Sequence, residues 1–199
     1  MTASTRPGAS AHQVSAHEHL RAATSAAHEA AEAALDLRRP VTVAVHRGVL
    51  ELLLSVLAPV EDVLLRWQES HSALWQVQRR SHLAAADLRQ LTGGMGVVVP
   101  PWPVVPPADG AGGAPEALGY AYALEGSRSG AVVIRKQLAH DRPDEPTSFF
   151  GPAEAGRWRS FLAVLDGTLA GERGRERAAV AAGSVFVELV SQAGRRSRG

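Results

Sequence analysis

Two glycines one helical turn apart, Gly126 and Gly130, interrupt a segment whose periodicity otherwise asks for a helix. From about Pro115 to Ala139, apolar and aromatic residues recur at helical spacing: Leu118, Tyr122, Leu124, Val132, Val133 and Leu138. A glycine in a helix interior costs about 0.5–1 kcal/mol relative to alanine, so a pair placed this way needs a compensating role. Two roles are physically available. The missing Cβ atoms let a neighbouring helix approach closely, or they let the helix kink and lie flat against a bulky planar ligand.

The rest of the chain also reads as helix. A first segment runs from about Ser15 to Leu37, where Ser15 and Glu18 fit a capping box and Pro40 ends the pattern. Its apolar stripe is Leu20, Ala23, Ala27, Ala31 and Leu35, with His28 on the edge of the stripe and Glu32 one turn further on. Residues 42–70 are strongly apolar, and Pro59 inside them is expected to kink or divide the helix. A shorter pattern, Ser81–Leu91, stops at Gly93–Gly94 and leads into a Pro- and Gly-rich connector. Within that connector Val97–Val99 is read as extended loop, because prolines follow closely.

After a charged turn come Phe149–Phe150–Gly151 and two more helical patterns. The first, about Ala153–Leu169, carries Trp158, Phe161, Leu162 and Leu165 on one face; the second, about Glu172–Ala193, carries Val180, Val185, Phe186, Leu189 and Val190. Convincing period-2 strands are missing. The expectation is an all-α, single-domain bundle over residues 15–193, with a disordered leader at 1–14 and a basic flexible tail at 194–199.

Composition removes several function classes. A formal net charge of +1 gives no global field for nucleic acid, and the arginine pairs are short and scattered. With no cysteine there are no disulfides and no thiolate chemistry. No apolar run approaches the roughly 20 residues of a membrane span, and the N-terminus lacks the apolar core of a signal peptide, so a cytoplasmic protein is expected. HExxH, P-loop, GxSxG and Rossmann spacings do not occur.

Among the eight histidines, His28 is the strongest candidate. It reads either as an ordinary helix-edge histidine or as an axial ligand to heme iron, with a carboxylate on the other ring nitrogen fixing the tautomer. Glu32 is placed for that carboxylate role, and Glu29 is also near. His17 and His19 share no helical face, and with His12 they lie in or beside the leader; His46, His71, His82 and His140 are read as solvated.

Two stretches bear a family resemblance. LRAATSAAHEAAE, Leu20–Glu32, resembles the first-helix signature of heme oxygenases, and GYAYALEGSRSGA, Gly119–Ala131, resembles the distal-helix signature of their bacterial, bacteriophytochrome-associated branch. Weaker echoes are RRSHLAAADLRQL, the Phe-Phe-Gly turn and the W-R-x-F-L of Trp158–Leu162. The resemblance implies a heme oxygenase-like helical bundle with heme between the first helix and a kinked, glycine-bearing distal helix. It implies His28 as proximal ligand to the heme iron, with Glu32 as its carboxylate partner. Gly126 and Gly130 would let the distal helix lie over the heme, Ser127 would match the signature's serine, and Tyr122 would face the heme edge. Arg21 would meet a propionate, joined by one of Arg173, Arg175 and Arg177.

The activity so implied is oxidative cleavage of heme to biliverdin with release of carbon monoxide and iron. Heme is then both substrate and cofactor, and O2 is consumed. Electrons come from an external reductant such as ferredoxin or a flavin reductase, and a bacteriophytochrome is a candidate acceptor of the biliverdin. No nucleic-acid or membrane partner is implied. Two departures from the signature, Ser129 and Ala131, together with the charge of Arg128, motivate an alternative: a non-catalytic heme-binding or heme-delivery protein of the same fold.

Overall fold

The computed structural model describes residues 14–35, 40–70, 74–95, 102–108, 111–152 and 154–196. Among these residues there are six α-helices and no strand. They are α1 (Ala16–Ala34), α2 (Val43–Ser70), α3 (Ser81–Leu91), α4 (Ala114–Asp141), α5 (Arg157–Thr168) and α6 (Glu172–Arg196), with one 3-10 turn, Ala111–Gly113, leading into α4. No described helix is long and apolar enough to cross a membrane.

Local signals explain most of the boundaries. Ser15 and Glu18 form the reciprocal capping box that opens α1, satisfying two orphan N–H groups. α1 ends at Ala34, three residues before the expected Leu37, and residues 36–39 lie outside the described set, as do residues 1–13 of the expected leader. Positive φ at Gly93 and Gly94 ends α3, with the Gly94 N–H donating to the Arg89 carbonyl at 2.7 Å. α5 begins at Arg157 rather than near Ala153 because Gly156 takes the left-handed conformation, φ 81°, immediately before it. α6 runs past the expected Ala193 through Arg196, whose guanidinium holds the Gly48 carbonyl and Glu51 on α2, so Arg195 and Arg196 are not a free tail.

Pro59 does not divide α2, which is unbroken. Proline lacks an N–H for the carbonyl four residues earlier, that of Ser55. The N–H of Trp102 donates to that carbonyl at 3.4 Å. The same connector is held by the Tyr120 hydroxyl, which donates to Val105 O at 2.8 Å, and by the Trp67 indole, which donates to Ala108 O at 3.2 Å. Residues 102–108 are therefore a tethered loop, while Val97–Val99 lie outside the described residues.

α6 is the spine. Both α1 and α4 pack along it, while they make little contact with each other. The α4–α6 approach is close enough that a Cβ on Gly119 would lie 2.1 Å from the Ala178 carbonyl oxygen. At Gly126 and Gly130 the same construction meets nothing within 4 Å. Close helix packing is thus the work of Gly119 and not of the glycine pair. α4 also stays helical straight through the pair, so the expected break or kink is not marked by any interruption.

Some expected core positions face outward. Val132, Val133, Val180 and Val190 are exposed, at 43%, 67%, 74% and 36%, and Ala23 is exposed too. The expected Leu20 and Ala31 in α1 and Val185, Phe186 and Leu189 in α6 are buried, joined by Thr24 in α1 and by Ala178 and Ala182 in α6. A substitution pair tests this division of roles. Gly119→Ala is expected to lower stability by about 1–3 kcal/mol through overpacking. Gly126→Ala is expected to leave it unchanged or raise it by up to about 1 kcal/mol. Urea unfolding of the apoprotein measures both.

Candidate functional site

The gap between α1 and α4 is a cavity of about 360 Å³. α1 supplies His28, Ala31 and Glu32; α4 supplies Gly126, Ser127, Gly130 and Ala131; Phe186 and Leu189 of α6 form the floor. Leu53 and Leu57 of α2 and the Phe149–Phe150 turn close the inner side. A second recess of about 300 Å³ shares His28, Gly126 and Phe186 with it and adds Arg21, Ser25, Tyr122 and Ser129. The size and the mainly apolar lining are those of small-molecule sites.

The seven residues singled out from the sequence, from three separate turns of α1 and three of α4, thus meet around two adjoining hollows. His28 is about half exposed, 47% by side chain, and its ring stands edge-on to Phe186 with centroids 5.2 Å apart. Its Nδ1 lies 3.7 Å from Glu32 Oε1, a charge contact too long for a hydrogen bond. Nothing among the described residues bonds Nε2. Ser127 donates its hydroxyl to the Leu124 carbonyl at 2.7 Å, leaving only its oxygen lone pairs for a ligand. Tyr122 is buried and packs against Trp158 and His17; burial pushes its pKa up, opposed by the nearby Arg21 charge.

Two expectations are corrected, those for the three arginines of α6 and for His46. Arg173, Arg175 and Arg177 line neither hollow. Arg177 is clamped on Glu116 at 2.6 and 2.7 Å, and Arg175 bonds the carbonyls of Val14 and Ala170. Ser129 faces the recess and not the main cavity. His46 is not solvated: it is 1% exposed, with Nδ1 2.6 Å from Glu145 Oε2. His82 and His140 are exposed as expected, and His71 lies outside the described residues.

The sequence reading missed the cavity's polar end. Glu61, 3% exposed, accepts the N–H groups of Arg80 and Ser81 at 2.8 and 2.9 Å, capping α3 from α2. Arg80 in turn donates to the carbonyls of Phe149 and Gly151 and stands over the Phe149 ring. Asp87 accepts the Phe149 N–H at 2.9 Å. These tethers, with His46–Glu145, fix the turn that presents Phe149 and Phe150 to the cavity. Only the Phe-Phe-Gly and Arg-Arg-Ser stretches hinted at it in sequence, because its partners are 62 to 99 residues apart. No family model matches the chain, and no curated protein matches it.

Glu145 gives the stability of the fold a pH dependence. Burial raises its pKa, but hydrogen bonds from His46 and Arg142 outweigh burial and leave it below the ordinary 4.5. A carboxylate depressed in the folded state adds stability above its unfolded pKa and loses it as pH falls through the folded value. Thermal melts taken at falling pH below neutrality are therefore expected to show an acid loss of stability that is shallower in Glu145→Gln.

Proposed function

We propose that this chain is a heme oxygenase that binds heme between α1 and α4 and cleaves it to biliverdin. The observation that carries the reading is the open face of Gly126 and Gly130. Their absent Cβ atoms give onto the same cavity that His28 lines from the opposite helix. A helix presenting bare backbone to an apolar slot suits a flat, rigid macrocycle, which needs close approach over a broad area. Heme bound there supplies the oxidative chemistry: with O2 and electrons from a separate donor, its own ring opens to biliverdin, and carbon monoxide and iron leave.

The chain's own residues bind, orient and shield. His28 offers Nε2 as an axial nitrogen, and Glu32 favours the tautomer with the proton on Nδ1. Phe186 limits rotation of the imidazole from the floor. Ala131, Leu124 and the Phe149 and Phe150 rings give the slot its apolar walls, which displace water. Arg21 and the Tyr122 hydroxyl offer polar contacts to a propionate at the outer recess. The reading includes a cytoplasmic setting and an external reductant, since no flavin or nicotinamide motif is present.

One observation favours the alternative of a heme-binding or heme-delivery protein. Ser127 has committed its proton to Leu124, so the cavity face of α4 offers no hydroxyl donor there. Turnover separates the two readings. In a single-turnover assay with ascorbate or ferredoxin, wild type is expected to yield biliverdin. His28→Ala is expected to lose the histidine–iron signature in the resonance Raman spectrum and at least roughly 100-fold in rate. Added imidazole is expected to restore the signature, and unchanged turnover in His28→Ala would refute the assignment.

A further inference from the structure

The cavity is apolar along most of its length and charged at one end, where Arg80, Arg128 and the carboxylate of Glu61 line it. Neighbouring Arg157 shows what a fully paired buried arginine looks like here. It grips Glu125 with Nε and a terminal nitrogen at 3.0 and 2.7 Å and covers the Trp75 ring. Arg128, 6% exposed, has only a looser share of the same carboxylate. Its two terminal nitrogens donate to the side-chain and main-chain oxygens of Gln78 at 2.8 and 2.9 Å. Its Nε stands 3.4 Å from Glu125, whose oxygens already accept from Arg157 and Trp75. Arg80 bonds two carbonyls, and the carboxylate nearest its backbone, Glu61, is taken up by the N–H groups of Arg80 and Ser81.

Three arginines, Arg80, Arg128 and Arg157, thus share two buried carboxylates, Glu61 and Glu125, and Arg80 and Arg128 line the cavity. Buried cations are costly unless an anion accompanies them, and a guanidinium is shaped to take a carboxylate. Burial lowers the pKa of both, with the acidic neighbours opposing it. The same two side chains also line an outer groove of about 380 Å³ with Gln78, Ser148 and Glu154. They thus line both hollows.

We propose that Arg80 and Arg128 form a carboxylate-binding site at the inner end of the cavity. The inference deepens the heme reading, resting on it for the identity of the large ligand but not for the site. The carboxylate comes either from a porphyrin propionate turned inward or from a separate small organic acid entering by the groove. A porphyrin carries both propionates on one edge, so a molecule held at Arg80 and Arg128 is not held at Arg21 in the same pose. The inner site thus decides which ring edge lies deepest.

The test compares iron-free protoporphyrin IX with its dimethyl ester by quenching of tryptophan fluorescence, and acetate by thermal shift. Wild type, Arg128→Met, Arg128→Lys and Arg21→Met are measured, each checked for helical content. With inward propionates, wild type prefers the diacid by roughly ten- to a hundredfold, the range for charge-assisted hydrogen bonds. Arg128→Met abolishes that preference while the ester binds as before; Arg128→Lys retains part of it and guards against misfolding of the Met variant. With a separate small acid, the porphyrin preference is absent or unaffected by Arg128→Met, but acetate raises the melting temperature of wild type and not of Arg128→Met. The proposal is overturned if the diacid preference follows Arg21 alone, or is absent, while acetate acts equally on wild type and Arg128→Met. Failure of both porphyrins to bind beside a positive acetate result would sink the heme reading and leave the site standing.

Discussion

The architecture depends on one close contact, the seating of α4 on α6 at Gly119, where the Ala178 carbonyl leaves no room for a side chain. That contact sets the line of α4 along the spine. α1 packs on the same spine, and because α1 and α4 scarcely touch, their separation becomes the cavity. The hollow is a consequence of helix placement, with its floor made by ordinary core residues, Phe186 and Leu189. Gly119, Gly126 and Gly130 share one helix and divide two tasks. The first brings helices together, and the other two keep a surface bare.

The second constraint lies on the inner side. The turn carrying Phe149 and Phe150 has no regular secondary structure to hold it, and polar tethers take that role. Asp87 holds its N–H, Arg80 its carbonyls, and the His46–Glu145–Arg142 set fixes its approach. The tethers come from His46 on α2, Arg80 and Asp87 at and on α3, and Arg142 just past α4, so the wall registers the relative positions of these elements. Buried polar networks of this kind are rigid when satisfied and costly when broken. The apolar end of the slot and the charged end beside it are therefore built from the same set of side chains.

Much of this was legible in the sequence because it is local. The Ser15–Glu18 box, the stop at Gly93–Gly94 and the helical period of all six elements depend on residues three or four apart. His28, Glu32, Gly126 and Gly130 could be singled out for the same reason, and the fold brings them to one cavity. What was missed is non-local or set by one backbone angle. His46 reads as a solvated histidine until Glu145, 99 residues away, is packed beside it. The start of α5 follows from the left-handed Gly156, and the end of α6 from the grip of Arg196 on α2. Val132 and Val180 share the apolar character of the core and still face outward, because periodicity gives a stripe without saying which edge of it is covered. Arg128 looked like a stray charge in the distal motif, yet it is turned toward Gln78 and buried.

The central claim is that the slot between His28 and the bare face of Gly126 and Gly130 holds heme for its own oxidation. An absorbance titration of the apoprotein with hemin, followed in the same cuvette by a competent electron donor in air, tests it most directly. The account predicts a sharp Soret band saturating at about one equivalent, which then decays into the broad red absorption of biliverdin. A Soret band that forms and never bleaches would contradict the enzyme and leave a heme-binding protein. No Soret shift at all would contradict heme binding itself, and His28 would be a helix-edge histidine beside an apolar slot made for another ligand.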